Sequence, residues 1–158
     1  WAKENLIYQA KQLAKAHPDC HFFVTRGVGG EVFQCENLME NLSVVSYLPY
    51  KEYIPQMDYV IHHGGAGIFY QCIIYGKPAL ILPHDYDQFD YAVRGVEAGV
   101  ALSANKEDTR AIGQAFDNLL AKEDWSELEI LRQAAHYYHP TEILESEIHR
   151  LLTDKEKE

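Results

Sequence analysis

The sequence is poor in cysteine, and it has no long apolar run. Its 158 residues include three cysteines, Cys20, Cys35 and Cys72, whose irregular spacing fits neither a zinc knuckle nor a redox pair. A disulfide framework is therefore not expected, and a reducing, cytoplasmic location is predicted. We recognise no secretory leader and no run of about 18 apolar residues, so neither export nor a membrane span is predicted for this chain.

Basic residues are also scarce. The sequence has 14 Lys and Arg and 24 Asp and Glu, which gives a formal net charge of −10. This balance disfavours nucleic acid or an anionic membrane as the main partner, so any phosphate group must be held by a local feature. The length and the 47% hydrophobic content predict one globular domain, residues 1–153, followed by a solvated tail, DKEKE at 154–158.

Apolar segments of strand length alternate with segments of helical period. Strands are predicted at 21–25, 43–47, 58–62, 79–83 and 100–103, and helices at 5–17, 66–75, 88–98, 125–138 and 141–152. This alternation predicts an α/β fold, a doubly wound and mostly parallel Rossmann-like sheet. Ligands bind at the carboxyl ends of the strands in such sheets, so the loops that follow His62 and Pro83 are expected to meet there.

The segment YVIHHGGAGIFYQCIIYG at 59–76 places three glycines, Gly64, Gly65 and Gly67, between a strand and a helix. Bare backbone N–H groups at a helix N-terminus can hold an anion such as phosphate. A tight turn that needs glycine only for its backbone shape is the alternative. The spacing excludes a P-loop and a dinucleotide fingerprint.

Polar groups flank this turn. His62 and His63 are expected on opposite faces of their strand, so at most one of them faces the site. The loop PHDYDQFDYA at 83–92 offers Asp85, Asp87 and Gln88, which suit the vicinal hydroxyls of a sugar; the alternative is a helix capped by Asp85 or Asp87. The spacing of these histidines and acids fits no compact metal motif.

Three ordered segments together resemble the donor-binding signature of GT-B nucleotide-sugar glycosyltransferases, especially the UDP-glycosyltransferase family. They are YLPY at 47–50, VIHHGGAG at 60–67 and GKPALILPHDYDQ at 76–88. The resemblance covers about 47–99, a third of the chain, and implies the C-terminal half of a GT-B fold. It also implies a strand before the first helix, and the given sequence shows no such strand.

The resemblance assigns the diphosphate to the glycine turn. His63 matches the histidine that donates to a donor phosphate. Gly65, Ala66, Gly67 and Ile68 match the helix-opening residues whose amides bind the diphosphate. Ile68 stands where relatives often have Ser or Thr, so its contact must come from the backbone alone.

The remaining donor contacts follow from the same resemblance. Tyr47 and Tyr50 match positions that flank or stack on the nucleobase. Gln71 stands where many relatives place a ribose-binding glutamate, and it keeps the hydrogen-bonding capacity without the charge. Asp87 and Gln88 match the pair that binds hydroxyls of the transferred sugar.

The implied activity is that of an inverting hexosyltransferase that uses a nucleotide-sugar, a UDP-sugar by resemblance, and requires no metal or other cofactor. The catalytic base is expected in an N-terminal acceptor-binding domain or partner subunit. Without it, the chain alone is expected to be inactive, and membrane association is expected only through that part. Two alternatives stay open: a non-catalytic nucleotide-binding or partner module of a split complex, and a nucleotide-sugar epimerase on the same fold.

Two features outside the signature are predicted to be structural. Arg26 is expected in a surface ion pair. Apolar residues at helical spacing in the last third are expected in the core: Trp125, Leu128, Leu131, Tyr138 and Leu144.

Overall fold

The computed structural model describes residues 2–27 and 34–154. The strands are β1 Phe22–Thr25, β2 Cys35–Met39, β3 Leu42–Val45, β4 Val60–His62, β5 Ala79–Ile81 and β6 Ala101–Ser103. The helices are α1 Ala2–Ala16, α2 Tyr50–Tyr53, α3 Ala66–Ile74, α4 Asp87–Glu97, α5 Thr109–Ala121, α6 Ser126–Tyr137 and α7 Pro140–Asp154. A short 3-10 turn, Ile54–Gln56, follows α2.

The strands form two sheets of three. The first has the order β1-β3-β2 and the second has the order β4-β5-β6. Every pair is parallel except β2 with β3, which form an antiparallel hairpin. The predicted α/β fold with a mostly parallel sheet is therefore confirmed. The strand predicted at 100–103, whose sequence is typical of an edge strand, lies at the edge of the second sheet as β6. The sequence RGVGG at 26–30 predicts a loop after the first strand, and this segment lies partly outside the described residues.

Strand β2 was not predicted from the sequence. Its residues, CENLM, include no β-branched or aromatic side chain and mix polar with apolar types. The strand exists because β3 offers a complementary edge: Cys35 pairs with Val45 and Glu36 with Val44. Arg26 also reaches across to Glu36, with 3.0 Å between Nη2 and Oε2, so the predicted surface ion pair is confirmed.

The second sheet is covered by helices on both faces. Ala79 and Ile81 of β5 pack into a cluster with Phe69 of α3 and Ala92 of α4. Leu80 alternates to the opposite face, where α5 packs against the sheet. Burial on both faces explains why β5 is continuously apolar. The helices α3 and α4 are thereby fixed with their first turns at the carboxyl ends of β4 and β5.

Burial in the last third of the chain differs in part from the prediction. Leu128 is buried and Trp125 and Leu131 are partly buried, as expected. Tyr138 and Leu144 are 62% and 60% exposed, so their assignment to the core was wrong. Their spacing is helical, but α7 does not pack on the core, and periodicity alone cannot show which helices do.

Helix α7 includes Asp154, the first residue of the predicted tail. Residues 155–158 lie outside the described part. Within residues 2–27 and 34–154, no helix has both the length and the apolar character needed to cross a bilayer.

Candidate functional site

The site begins at the carboxyl end of β4, where the chain turns sharply at Gly64. The backbone of Gly64 has φ +92°, a conformation that side-chain-bearing residues rarely adopt. Its amide donates to Nδ1 of His62 at 2.9 Å. A Cβ at this position would lie 3.0 Å from the carbonyl oxygen of Gln88 and 3.0 Å from Cγ2 of Ile81. Glycine is therefore required both by the turn and by the packing of the next loop over it.

Helix α3 presents free amides at its first turn. Gly65 is its N-cap, no side chain caps the helix, and the first intrahelical bond runs from the amide of Phe69 to the carbonyl of Gly65 at 3.1 Å. The amides of Ala66, Gly67 and Ile68 thus have no acceptor within the helix. Together with the helix dipole, they make a position that favours an anion.

His63 lies over this first turn. A Cβ added to Gly65 would come 2.7 Å from Nε2 of His63, which places the imidazole edge against the helix start. Burial lowers the pKa of His63 from its usual 6.5, the nearby His84 lowers it further, and Asp87 partly offsets the shift. The free imidazole is therefore mainly neutral at neutral pH, with one N–H to donate.

His62 lies on the opposite side of the strand, as expected for consecutive strand residues. It is 6% exposed, and burial followed by the charge of His63 lowers its pKa to about 4. Because Nδ1 accepts from Gly64, the proton of the neutral ring is on Nε2, and Nε2 has no partner within the described part of the chain. His62 supports the turn, and only His63 faces the site.

The loop between β5 and α4 closes over the same edge. The side-chain oxygen of Gln88 accepts from the amides of His84 and Asp85, at 2.9 and 3.2 Å. These two bonds occupy the acceptor sites of the Gln88 oxygen. Only Nε2 is left for a ligand, so Gln88 can act toward a ligand only as a donor. Nδ1 of His84 lies 2.8 Å from the carbonyl oxygen of Leu82 and must carry a proton, since a carbonyl only accepts.

The start of α4 differs from the predicted alternative. Neither Asp85 nor Asp87 caps the helix; the N-cap is Tyr86, without a side-chain cap bond, and Asp87 is the first helical residue. Tyr86 has φ +32° and is 92% exposed. This strained backbone and exposed ring lie in the loop that carries Asp87 and Gln88. The sequence did not predict them, because tyrosine rarely adopts this backbone conformation.

Tyr50 begins α2, which contacts α3, and Tyr47 lies in the segment just before α2. Both are exposed, and the pKa of Tyr50 is raised by burial and then by Tyr47 and by Cys72 of α3, which places these groups near one another. Gln71, on the same helix, has a buried Oε1 with no partner among the described residues. An unpaired buried acceptor is costly, and a bound hydroxyl would satisfy it.

The structure brings part of the predicted set together, at the starts of α3 and α4. The glycine turn, His63 and the loop with Asp87 and Gln88 lie at one edge of the second sheet, and Gln71 lies further along α3. Within residues 2–27 and 34–154, no group of three or more His, Cys, Asp or Glu is arranged to hold a metal ion. The arrangement can bind an anion through amides and an imidazole, and neighbouring hydroxyls through Asp87 and Gln88.

The buried His62 gives a stability prediction. In the unfolded chain it titrates near 6.5, whereas in the folded chain its pKa is about 4, so the unfolded state takes up a proton first as the pH falls. We expect this to remove about 2 kcal/mol of stability between about pH 7 and about pH 5. Asn at this position can still accept from Gly64 but does not titrate, so His62→Asn should lose about 2 kcal/mol less over that range. Urea unfolding at both pH values measures this, and equal losses in the two proteins would contradict it.

Solved structures share this fold. A spinosyn rhamnosyltransferase, SpnG, in complex with thymidine diphosphate superposes with a TM-score of 0.74 at 20% identity, over 89% of this chain and 39% of that one. The glycotransferase of kitacinnamycin gives 0.70 at 22% identity, over 80% and 34%. The fold is that of the C-terminal domain of GT-B glycosyltransferases.

A family model identifies the protein family. The model for the erythromycin biosynthesis protein CIII-like C-terminal domain matches residues 29–149, and the chain belongs to this family. An uncharacterized UDP-glucosyltransferase, YdhE, of Bacillus subtilis is 28% identical over 105 residues, 65% of this chain and 27% of that protein. The 3-alpha-mycarosylerythronolide B desosaminyl transferase of Saccharopolyspora erythraea is 35% identical over 68 residues, 42% of this chain and 16% of that protein. The chain thus spans about a quarter or less of the length of these relatives.

Proposed function

We propose that this chain is the donor-binding domain of an inverting glycosyltransferase that takes a sugar from a pyrimidine nucleotide-sugar, with UDP-sugar as the first candidate. The observation that carries the proposal is the first turn of α3, where three amides without helical acceptors lie beside Nε2 of His63. A diphosphate offers acceptor oxygens for these donors, as phosphates commonly do at a helix N-terminus. The name of the Bacillus relative and the thymidine diphosphate in the SpnG complex support a nucleoside diphosphate as ligand.

The remaining side chains suit the nucleoside and the sugar, the two ends of a nucleotide-sugar. Tyr47 and Tyr50 offer rings for the base, and the unpaired oxygen of Gln71 accepts from a ribose hydroxyl. Across the helix start, the carboxylate of Asp87 accepts from sugar hydroxyls and Nε2 of Gln88 donates to them.

The catalytic contribution of these residues is electrostatic. As the bond from sugar to diphosphate breaks, negative charge grows on the departing diphosphate. The α3 dipole, the three amides and the His63 N–H are already oriented toward that charge, so they stabilise the transition state more than the ground state. These groups supply the stabilisation without a metal ion. The base that deprotonates the acceptor lies, in this proposal, in an N-terminal domain or partner subunit.

Calorimetry on the full-length protein tests the donor class. UDP and dTDP are expected to bind at least about tenfold more tightly than UMP and dTMP, because the second phosphate occupies the first turn of α3. Equal affinity for mono- and diphosphates would contradict the proposed site. Formation of an epimer from UDP-sugar without any acceptor would instead favour the epimerase alternative.

Gly65 gives a variant that moves His63 without changing the backbone. Gly65 has φ −63°, which alanine adopts easily, but its new Cβ would lie 2.7 Å from His63 Nε2 and displace the ring. We expect Gly65→Ala to weaken UDP binding by about the same factor as His63→Ala, less than about tenfold, and the double variant to add little, because both changes remove the same contact. Titration calorimetry on the single and double variants measures this.

The matched control is Gly113→Ala in α5, where an added Cβ meets nothing within 4 Å. It is expected to leave UDP affinity unchanged. Additive losses from Gly65→Ala and His63→Ala would show that the two residues act separately and would contradict the geometry.

A further inference from the structure

The ring of His84 is held in one orientation by the loop between β5 and α4. Nδ1 of His84 lies 2.8 Å from the carbonyl oxygen of Leu82, and the backbone amide of His84 donates to the side-chain oxygen of Gln88 at 2.9 Å. A histidine in a loop can usually rotate about two side-chain bonds. Here both the backbone and one edge of the ring are fixed from within the chain, so the opposite edge has a defined position.

The fixed ring lies beside the position that we propose for the diphosphate. The amide of Leu82 donates to the carbonyl of His62 at 2.8 Å, so the end of β5 runs next to the end of β4, which continues into His63. The ring of His84 is tied to Leu82 at that point. His84 and Asp87 both influence the pKa of His63, which agrees with this closeness. His84 therefore shares the carboxyl edge of the sheet with His63.

The hydrogen bond to Leu82 determines which nitrogen of His84 can meet a ligand. A carbonyl oxygen only accepts, so Nδ1 carries a proton and, in the neutral ring, Nε2 keeps its lone pair. Among the described residues no donor reaches Nε2 of His84, and this atom is not buried, in contrast to Nε2 of His62. Nε2 of His84 is therefore an acceptor that is open to whatever occupies the site.

A hydroxyl group suits this acceptor. The oxygens of an ionised diphosphate have no proton to donate, so the lone pair on Nε2 of His84 does not suit the diphosphate. Two side chains on the same loop have the matching chemistry: the carboxylate of Asp87 accepts, and Nε2 of Gln88 donates. Each hydroxyl donates a single hydrogen bond, so the acceptors on His84 and Asp87 together call for two hydroxyls.

We propose that Nε2 of His84 accepts a hydrogen bond from one hydroxyl of the transferred sugar, beside the hydroxyls that Asp87 and Gln88 bind. This inference rests on the proposed function, because it needs a nucleotide-sugar whose sugar lies at this edge. The transferred sugar is then a hexose with hydroxyls on neighbouring carbons. A deoxysugar that lacks the contacted hydroxyl is a poorer donor, because Nε2 of His84 would lose its partner.

Closure of the loop is the competing explanation for the contacts of His84. If the ring only ties the loop to Leu82, Nε2 faces water in the complex as well, and no sugar hydroxyl depends on it. Asparagine places an amide N–H where Nδ1 lies and has no atom at the position of Nε2, so His84→Asn keeps the tie and lacks the acceptor. The longer glutamine brings its oxygen to the position of Nε2, so His84→Gln keeps an acceptor without the tie.

Calorimetry on the full-length protein separates the two explanations. The ligands are UDP, UDP-glucose and the monodeoxy analogues of UDP-glucose, each of which lacks a different hydroxyl. The titrations are made at about pH 8, above the usual titration range of histidine, so that the ring is an acceptor. The decisive quantity is the ratio of the affinity for UDP-glucose to the affinity for each analogue, because a merely structural role does not change it.

The protein is expected to bind one analogue about tenfold more weakly than UDP-glucose through loss of the His84 contact. In His84→Asn this preference should disappear for that analogue alone, with the affinity for UDP unchanged, whereas His84→Gln should keep it. His136→Asn, at an exposed position on α6, is the matched control and should change no ratio.

Ring nitrogen signals of the isotope-labelled full-length protein give a second measurement that needs no variant. The Nε2 signal of His84 is expected to move with UDP-glucose and to stay in place with UDP and with the analogue that lacks the contacted hydroxyl. A signal that UDP-glucose does not move would overturn the inference, even if neither variant folds.

Other outcomes also decide the question. Affinity ratios that His84→Asn leaves unchanged for every analogue would overturn the inference while UDP binding upholds the proposed function. A fall in UDP affinity in His84→Asn would place His84 at the diphosphate and overturn it too, as would a protein that binds UDP but prefers UDP-glucose to none of the analogues. A protein that does not bind UDP would contradict the proposed function itself, and the inference with it.

Discussion

His63→Ala in the full-length enzyme is expected to lower kcat about 100-fold while UDP affinity falls less than about tenfold. In the proposed mechanism, the N–H of His63 over the start of α3 gains most when charge develops on the leaving diphosphate, whereas the helix amides also hold the ground state. Steady-state kinetics with a UDP-sugar, together with calorimetry for UDP, separates the two effects.

An exposed histidine outside the predicted site serves as the control for this variant. His136 is exposed on α6, and His136→Ala should leave both kcat and UDP affinity unchanged. Unchanged turnover in His63→Ala, or a loss that appears entirely as weaker UDP binding, would reject the role given to His63.

Gly64→Ala is expected to destabilise the fold by about 3 kcal/mol. The backbone at φ +92° strains any side-chain-bearing residue, and the new Cβ would press at 3.0 Å on the Gln88 carbonyl and on Ile81. The loop that carries Asp87 and Gln88 must move as a result. The midpoint of urea unfolding at neutral pH measures the change.

Gly113→Ala is the matched comparison for stability as well. Position 113 is inside α5, and its added Cβ meets open space, so this variant should gain about 0.5–1 kcal/mol. Similar unfolding midpoints for the Gly64 and Gly113 variants would show that the turn does not need glycine.

Much of the fold could be predicted because helices and strands have different periods. The β4–α3 and β5–α4 units follow directly from apolar runs, glycines and prolines at their expected places. Strand β2 could not be predicted, since its pairing depends on the edge of β3 and not on its own composition. The exposure of Tyr138 and Leu144 was missed for a related reason: the period of a helix shows which residues share a face, and it does not show whether anything covers that face.

Part of the candidate site could likewise be predicted from the sequence, and part could not. The meeting of the glycine turn with the Asp87–Gln88 loop follows from the rule for the carboxyl ends of parallel strands. The internal use of the Gln88 oxygen, the left-handed backbone of Tyr86 and the proximity of His84 to His63 arise from the packing of one loop over Gly64. No local pattern in the sequence encodes these features.

The central claim is that the first turn of α3 holds a nucleoside diphosphate. Amide chemical shifts of the isotope-labelled full-length protein, recorded during titration with UDP and with dTDP, test it most directly. The largest shifts are expected at Ala66, Gly67 and Ile68, since their amides gain a charged acceptor, with smaller shifts along Tyr47, Tyr50 and Gln71. Saturable binding that leaves the three α3 amides unshifted would contradict the claim.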